Sequence, residues 1–226
     1  MRTFALIHGA GDVGWYWHLV AAELRARGHR VVAPDLPGGD APTLDDYADA
    51  VVEAVGDARD PVVVGQSFGA FTAPLVAARR PVASLVLVAG MVPAPGESPD
   101  RWWQATGYAQ AVRRRSGPDG GPAAGGDPYA AFYHDVPRDL AEEAMSRARD
   151  HPSPAASAQP WPLDGWPGVP TRFVLCTEDR FLPPGFLRPL VRERLGLVPE
   201  EIAAGHCVAL SRPVELAALL AGPATG

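Results

Sequence analysis

The stretch Val62-Val63-Val64-Gly65-Gln66-Ser67-Phe68-Gly69 decides the fold. Its three valines read as a buried strand, Gly65 to Gly69 form a G-x-S-x-G turn, and the residues from Phe68 to Arg80 have helical composition. Strand, sharp turn and helix in immediate succession are the context of a nucleophile elbow. In such an elbow the serine takes a strained backbone conformation. A Cβ two positions to either side would collide with the neighbouring strand or helix, which is why both flanks are glycine. The turn also sets Ser67 at a helix N-terminus, where N–H groups and the helix dipole favour a developing negative charge. A glycine-rich junction with no chemistry would look the same locally, so the partners must be sought elsewhere in the chain.

Three further features supply them. His8-Gly9-Ala10-Gly11 ends the first strand and offers a backbone turn whose amide can join that of Phe68 in an oxyanion hole; the donors are Ala10 and Phe68. Thr177-Glu178-Asp179-Arg180 follows the strand Phe173 to Cys176 and brings an acid able to orient a histidine. Gly205-His206 lies between the last strand and the last helix. The order Ser67, Asp179, His206 is that of the hydrolases whose triad runs serine, acid, histidine.

Around these motifs, short apolar runs alternate with helical stretches, the pattern of a parallel sheet with crossover helices. The expected strands are 3–8, 30–33, 61–65, 83–89, 171–176 and, more weakly, 198–202; the expected helices are 15–27, 44–55, 68–80, 184–195 and 213–220. Six mainly parallel strands with helices on both faces follow. Residues 1–90 and 170–226 form the core, and residues 91–169 are too long for a single crossover, so they read as an inserted cap or lid. That insertion holds four of the six tryptophans, and within it residues 116–128, with eight Gly or Pro in thirteen positions, read as a mobile loop.

Composition excludes several classes. The chain has 226 residues, 26 acidic and 20 basic side chains, and a formal net charge of -6, which disfavours nucleic acid as a partner. Every basic residue other than histidine is arginine, so Schiff-base, P-loop and Tyr-x-x-x-Lys chemistry are excluded. Cys176 and Cys207 fit neither a zinc site nor a disulfide framework, which suggests a reducing compartment. The uncharged stretch Pro61 to Ala78 is too rich in polar and helix-breaking residues for a membrane span. A cytoplasmic location is expected, with no membrane association; oligomeric state is not legible.

A second motif competes for the same fold. Gly9-Ala10-Gly11-Asp12-Val13-Gly14 is a formal G-x-G-x-x-G, and Asp35 follows at the end of the next strand, where a dinucleotide fold places its ribose-binding acid. Against it stand the prolines of Ala33-Pro34-Asp35-Leu36-Pro37-Gly38 and the missing lysine. Binding of NAD(P) is the test that separates the two. His8 reads as a structural residue of its turn, and His18, His29, His134 and His151 lack partners at metal-ligand spacing. Cys176 reads as packing, and Arg113-Arg114-Arg115 as a solvated helix end.

Taken together, the chain resembles the α/β-hydrolase superfamily, in its small branch of plant methylesterases, hydroxynitrile lyases and bacterial esterase relatives. The resemblance is carried by His8 to Gly11 with Trp15 and Trp17, by Ala33 to Gly38, by the elbow, by Asp179 with Phe181 and Pro183, and by His206 to Pro213. It implies an α/β-hydrolase fold and a serine hydrolase that cleaves an ester of a largely apolar small molecule, with Ser67, His206 and Asp179 catalytic and no metal or organic cofactor. Lyases of the branch carry lysine after the catalytic histidine; Cys207 stands there, which argues against lyase activity. The residues expected to touch substrate are Trp15, Trp102, Trp103, Phe132, Tyr133, Phe181 and Cys207. Thioester or lactone hydrolysis, acyl transfer and a biosynthetic tailoring step remain open, as does a non-catalytic binding role.

Overall fold

The structure, a computed structural model, describes residues 1–116 and 127–222. Six strands form one sheet: β1 Thr3–Ile7, β2 Arg30–Val32, β3 Val62–Gln66, β4 Ser84–Val88, β5 Thr171–Cys176 and β6 Glu200–Ile202. Their order is β2-β1-β3-β4-β5-β6 and every neighbouring pair is parallel. Parallel strands buried on both faces read as continuous apolar runs, and Val62-Val63-Val64 and Leu85-Val86-Leu87-Val88 are such runs.

Alternation along each strand sends side chains to two cores. Phe4, Leu6, Val64, Val86 and Val174 pack with Val20 and Leu24 of helix α1 (His18–Ala26) and with residues of the last helix, Pro213–Ala221. Ala5, Ile7, Val63, Leu85 and Phe173 pack on the opposite face with α2 (Leu44–Val55), α3 (Gly69–Arg79) and the helix Pro184–Leu195. At roughly 1.5–3 kcal/mol for each large apolar side chain removed from water, these two layers dominate the stabilisation. The start of α2 is set locally: the Thr43 side chain accepts the Asp46 N–H, and Asp46 Oδ2 accepts the Thr43 N–H at 2.7 Å.

Several boundaries differ from the sequence expectation. The expected helix 15–27 opens as a 3₁₀ turn, Gly14–Trp17, before α1, and the weak strand 198–202 begins only at Glu200, leaving Val198 exposed. A short helix, Val208–Ser211, follows His206.

Among the described residues, the segment between β4 and β5 carries five helices, α4 Pro99–Ala105, α5 Tyr108–Ser116, α6 Pro128–Phe132, α7 Arg138–Ser146 and α8 Pro154–Ala158. Met91, Val92, Trp102, Ala156 and Trp161 join the apolar cluster beside β4 and β5, so part of this segment is core. The expected loop 116–128 is shorter than read, since Ser116 ends α5 and Pro128 opens α6, and its residues 117–126 lie outside the described residues. Among the described residues no helix is long and apolar enough to cross a membrane.

Candidate active site

Because β1 is flanked by β2 on one side and β3 on the other, the connections leaving β1 and β3 diverge and open a crevice at their carboxyl ends. Ligands of open α/β sheets bind at such a switch point. A cavity of about 400 Å³ lies there, and Ala10, Ser67 and His206 are on its wall.

Ser67 is held in the left-handed region, φ 50°. Its N–H donates to Val88 O at 3.0 Å, and its carbonyl accepts from Met91 N–H at 2.9 Å. These bonds tie the elbow to the end of β4 and offset a strain of about 1–3 kcal/mol. A Cβ on Gly65 would lie 2.5 Å from Gly69 O, and one on Gly69 would lie 2.8 Å from Ile7 O and 2.9 Å from His8 O. Backbone occupies both places, so only glycine fits.

The loop after β1 is fixed from several directions. His8 Nε2 accepts the Leu36 N–H at 3.2 Å, so its proton sits on Nδ1 and points to Gly9 O at 2.9 Å. Burial lowers the His8 pKa, in keeping with a neutral ring that shapes the turn. Gly11, at φ 75°, donates its N–H to His151 O at 2.7 Å and accepts from Arg149 N–H at 3.0 Å. Burial, with His8 adding a smaller push, takes the His151 pKa down to about 3, so that ring is neutral as well. Asp35 accepts the Gly14 N–H at 2.8 Å and pairs with Arg149 at 3.3 Å. The acid that a dinucleotide site would turn to a ribose is therefore engaged by the first loop itself. No acceptor among the described residues takes the backbone N–H of Ala10 or Phe68.

Asp179, fully buried after β5, uses both oxygens. Oδ1 accepts the N–H groups of Phe181 and Leu182, each at 2.8 Å, and Oδ2 lies 2.7 Å from His206 Nδ1. Glu178 is exposed. His206 is seated by its flanks: Gly205 N–H donates to Asp135 Oδ2 at 2.7 Å, and Gln66 Nε2 donates to the His206 carbonyl at 3.4 Å. Phe132 and Phe181 lie steeply inclined to the imidazole, with ring centroids 5.6 and 5.1 Å from its own. Among the described residues no hydrogen bond yet joins Ser67 to His206, and such contacts commonly tighten only when substrate is bound.

The expected substrate contacts divide. Phe132, Tyr133, Phe181 and Cys207 line the cavity. Trp15, Trp102 and Trp103 do not. Trp15 is stacked between His18, at 4.2 Å, and the Arg147 guanidinium, at 4.7 Å. Trp102 is fully buried and donates its indole N–H to Val92 O at 2.9 Å, while Trp103 packs on Tyr108 at 4.9 Å. Residues that the sequence reading did not single out also face the cavity: Asp12, Gln66, Met145 and Ala148. Asp135, which holds the histidine loop, was equally unmarked; a lone acid in a loop gives no spacing to recognise. A larger hollow of about 710 Å³ at the sheet edge, lined by Arg172, Glu200 and Glu215, brings together no nucleophile and base.

An elbow serine, a histidine braced by a buried carboxylate and two unclaimed amides, one on the first loop and one in the elbow, all at one end of a parallel sheet, define a hydrolase of the α/β class. The chain belongs to the alpha/beta hydrolase family, whose pattern matches residues 4–219. Within it the chain falls in the methylesterase-like branch. It is 27% identical to methylesterase 7 of Arabidopsis thaliana, over 97% of this chain and 95% of that protein. It is 24% identical to norfluorocurarine synthase 1 of a Strychnos species, over 95% of this chain and 92% of that one. The crystal structure of a pyrethroid hydrolase from Sphingobium faniae JZ-2 superposes with a TM-score of 0.76 at 24% identity, covering 97% of this chain and 96% of the other.

Proposed function

We propose that this hydrolase cleaves a carboxylic ester of a small, largely apolar molecule through an acyl-enzyme on Ser67. The observation that carries the reading is the His206 Nδ1 to Asp179 Oδ2 contact of 2.7 Å, with Asp179 Oδ1 occupied by two amides and Ser67 on the same cavity. The Ser67 hydroxyl attacks the ester carbonyl and its proton passes to His206 Nε2. Asp179 keeps Nδ1 protonated and stabilises the imidazolium. The negative charge that forms on the carbonyl oxygen is received by the amides of Ala10 and Phe68, a single such donor being worth about 10²–10³ in rate. His206 returns the proton to the leaving alkoxide, and water repeats the sequence to release the acid. Only water is consumed.

Residues 127–150 act as a cap over the cavity, since Phe132, Tyr133, Met145 and Ala148 form its apolar wall. The names methylesterase and pyrethroid hydrolase among the relatives favour ester cleavage. The full-length likeness to a synthase favours a second reading, in which the same triad performs a biosynthetic step. Incubation with a fluorophosphonate should place one label on Ser67, and Ser67→Ala should abolish both labelling and turnover of p-nitrophenyl esters. A label mapped to another residue of active protein refutes the mechanism.

A further inference from the structure

We propose, resting on the esterase reading above, that Asp12 is the recognition point for a positively charged amine, so that the preferred substrates are esters carrying an ammonium group. Asp12 shares the cavity wall with Ser67 and His206 and, among the described residues, is the only Asp, Glu or Arg on it. Much of the rest is apolar or aromatic: Ala10, Phe132, Met145, Ala148 and Phe181.

The neighbouring acids are all engaged by the fold. Asp35 takes the Gly14 amide, Asp135 the Gly205 amide, and Asp179 two amides and His206. The Asp12 carboxyl alone has no hydrogen-bond or ion-pair partner among the described residues. A carboxylate taken from water without a partner is costly, and a bound cation supplies that partner. Asp12 is half-buried, and desolvation raises its pKa to about 7, with His206 opposing the rise. The titratable groups whose electrostatics couple to it are His206 and Cys207, Tyr133 from the cap, and Tyr16 from the 3₁₀ turn. His206 is bound to Asp179, and cysteine and tyrosine can offer only neutral groups or anions. Phe132, Tyr133 and Phe181 put aromatic rings on the same wall, and such rings attract a cation placed over their faces. An anionic substrate would find no arginine on the described wall.

The test is a pair of esters of one acid and one shape, the choline ester and the 3,3-dimethylbutyl ester, which differ by a charge. At pH 8 the wild type should favour the choline ester in kcat/KM by roughly tenfold, chiefly through KM. The preference should shrink as pH falls below 7 and Asp12 takes up a proton. Asp12→Asn should bring the ratio to within about twofold of one, and Asp12→Glu should restore part of it. A wild-type ratio near one at pH 8, a ratio that survives Asp12→Asn, or equal loss on both esters refutes the proposal. If neither ester is cleaved and Ser67 takes no fluorophosphonate, the esterase reading fails by itself. Recognition is then decided by calorimetry of choline on the Ser67→Ala protein with and without Asp12→Asn; binding that is absent, or indifferent to Asp12, overturns it.

Discussion

Asp179→Asn tests the triad most sharply, because the geometry dictates which way the new amide must lie. Two backbone N–H groups, from Phe181 and Leu182, claim Oδ1 at 2.8 Å. In asparagine only the carbonyl oxygen can accept them, so the NH₂ turns to His206. The reverse orientation would leave both buried N–H groups facing donors, at a cost of roughly 1–3 kcal/mol each. With the NH₂ donating, His206 Nδ1 must accept, and the ring proton moves to Nε2, the nitrogen that has to receive the Ser67 proton. The corresponding exchange in a serine protease lowers kcat by about 10⁴, equivalent to ~5.5 kcal/mol of barrier. Steady-state turnover of a p-nitrophenyl ester reads the loss, and a thermal melt beside it checks that the fold survives. Glu178→Gln, at an exposed position, should change kcat by less than about twofold. Should folded Asp179→Asn keep a tenth of the wild-type rate at pH 7, Asp179 is not the orienting acid.

Phe132→Ala should reorder the preference among acyl chain lengths, whereas Trp102→Ala should cost roughly 3–5 kcal/mol in urea unfolding and leave the ranking alone; the opposite pattern would place the pocket wrongly. Gly69→Ala should inactivate the protein or prevent folding, since its Cβ meets the backbone of β1. At Gly11, φ 75° with open space around it, alanine should cost only about 1–2 kcal/mol of backbone strain; equal melting temperatures for the two variants would contradict the steric account. Asp12→Asn should stabilise the protein with a set pH dependence. The folded carboxyl, raised from 3.8 to about 7, stays protonated where the unfolded one ionises, so wild-type stability falls as pH climbs between those values. The advantage of the variant should grow over that window and level off above pH 7, and a constant difference from pH 4 to 8 would count against a desolvated carboxyl.

The strands and the elbow were legible because a doubly covered parallel sheet leaves a one-dimensional trace: apolar runs such as Val62-Val63-Val64 bounded by glycine. For the acid, alternation says only that Glu178 and Asp179 differ in direction, and it was the resemblance that singled out Asp179; in the structure Asp179 is buried beside His206 and Glu178 is exposed. The aromatics were not legible. Trp102 and Phe132 lie in one insertion, yet the first is core and the second is cavity wall, because a cap underside and a hydrophobic core draw on the same residue types. Helix starts in the insertion did leave a signal that composition hid: Ser98-Pro99, Asp127-Pro128 and Ser153-Pro154 each place a capping side chain before a proline at the first helical position. Asp12 was masked by its motif, where the glycines drew the attention and the acid among them went unweighed.

The insertion contributes more than a cover, and the Gly11 contacts show how. Its residues 149–151 bond both sides of Gly11, through Arg149 N–H and His151 O, directly beside the amide of Ala10. Two backbone bonds, neither dependent on side-chain identity, thus help to set the loop that carries one of the proposed oxyanion donors. The other proposed donor, Phe68, is fixed separately by the elbow and by the bond from Ser67 to Val88 at the end of β4. The Arg149–Asp35 ion pair beside them is largely exposed, with side chains 60% and 46% accessible, and such pairs contribute little. Placement of the Ala10 amide thus draws on the insertion's backbone together with the His8 and Asp35 contacts of its own loop, and placement of the Phe68 amide on the sheet. In the mechanism proposed above, the insertion therefore bears on the loop that would supply one of the two oxyanion donors, as well as lining the cavity.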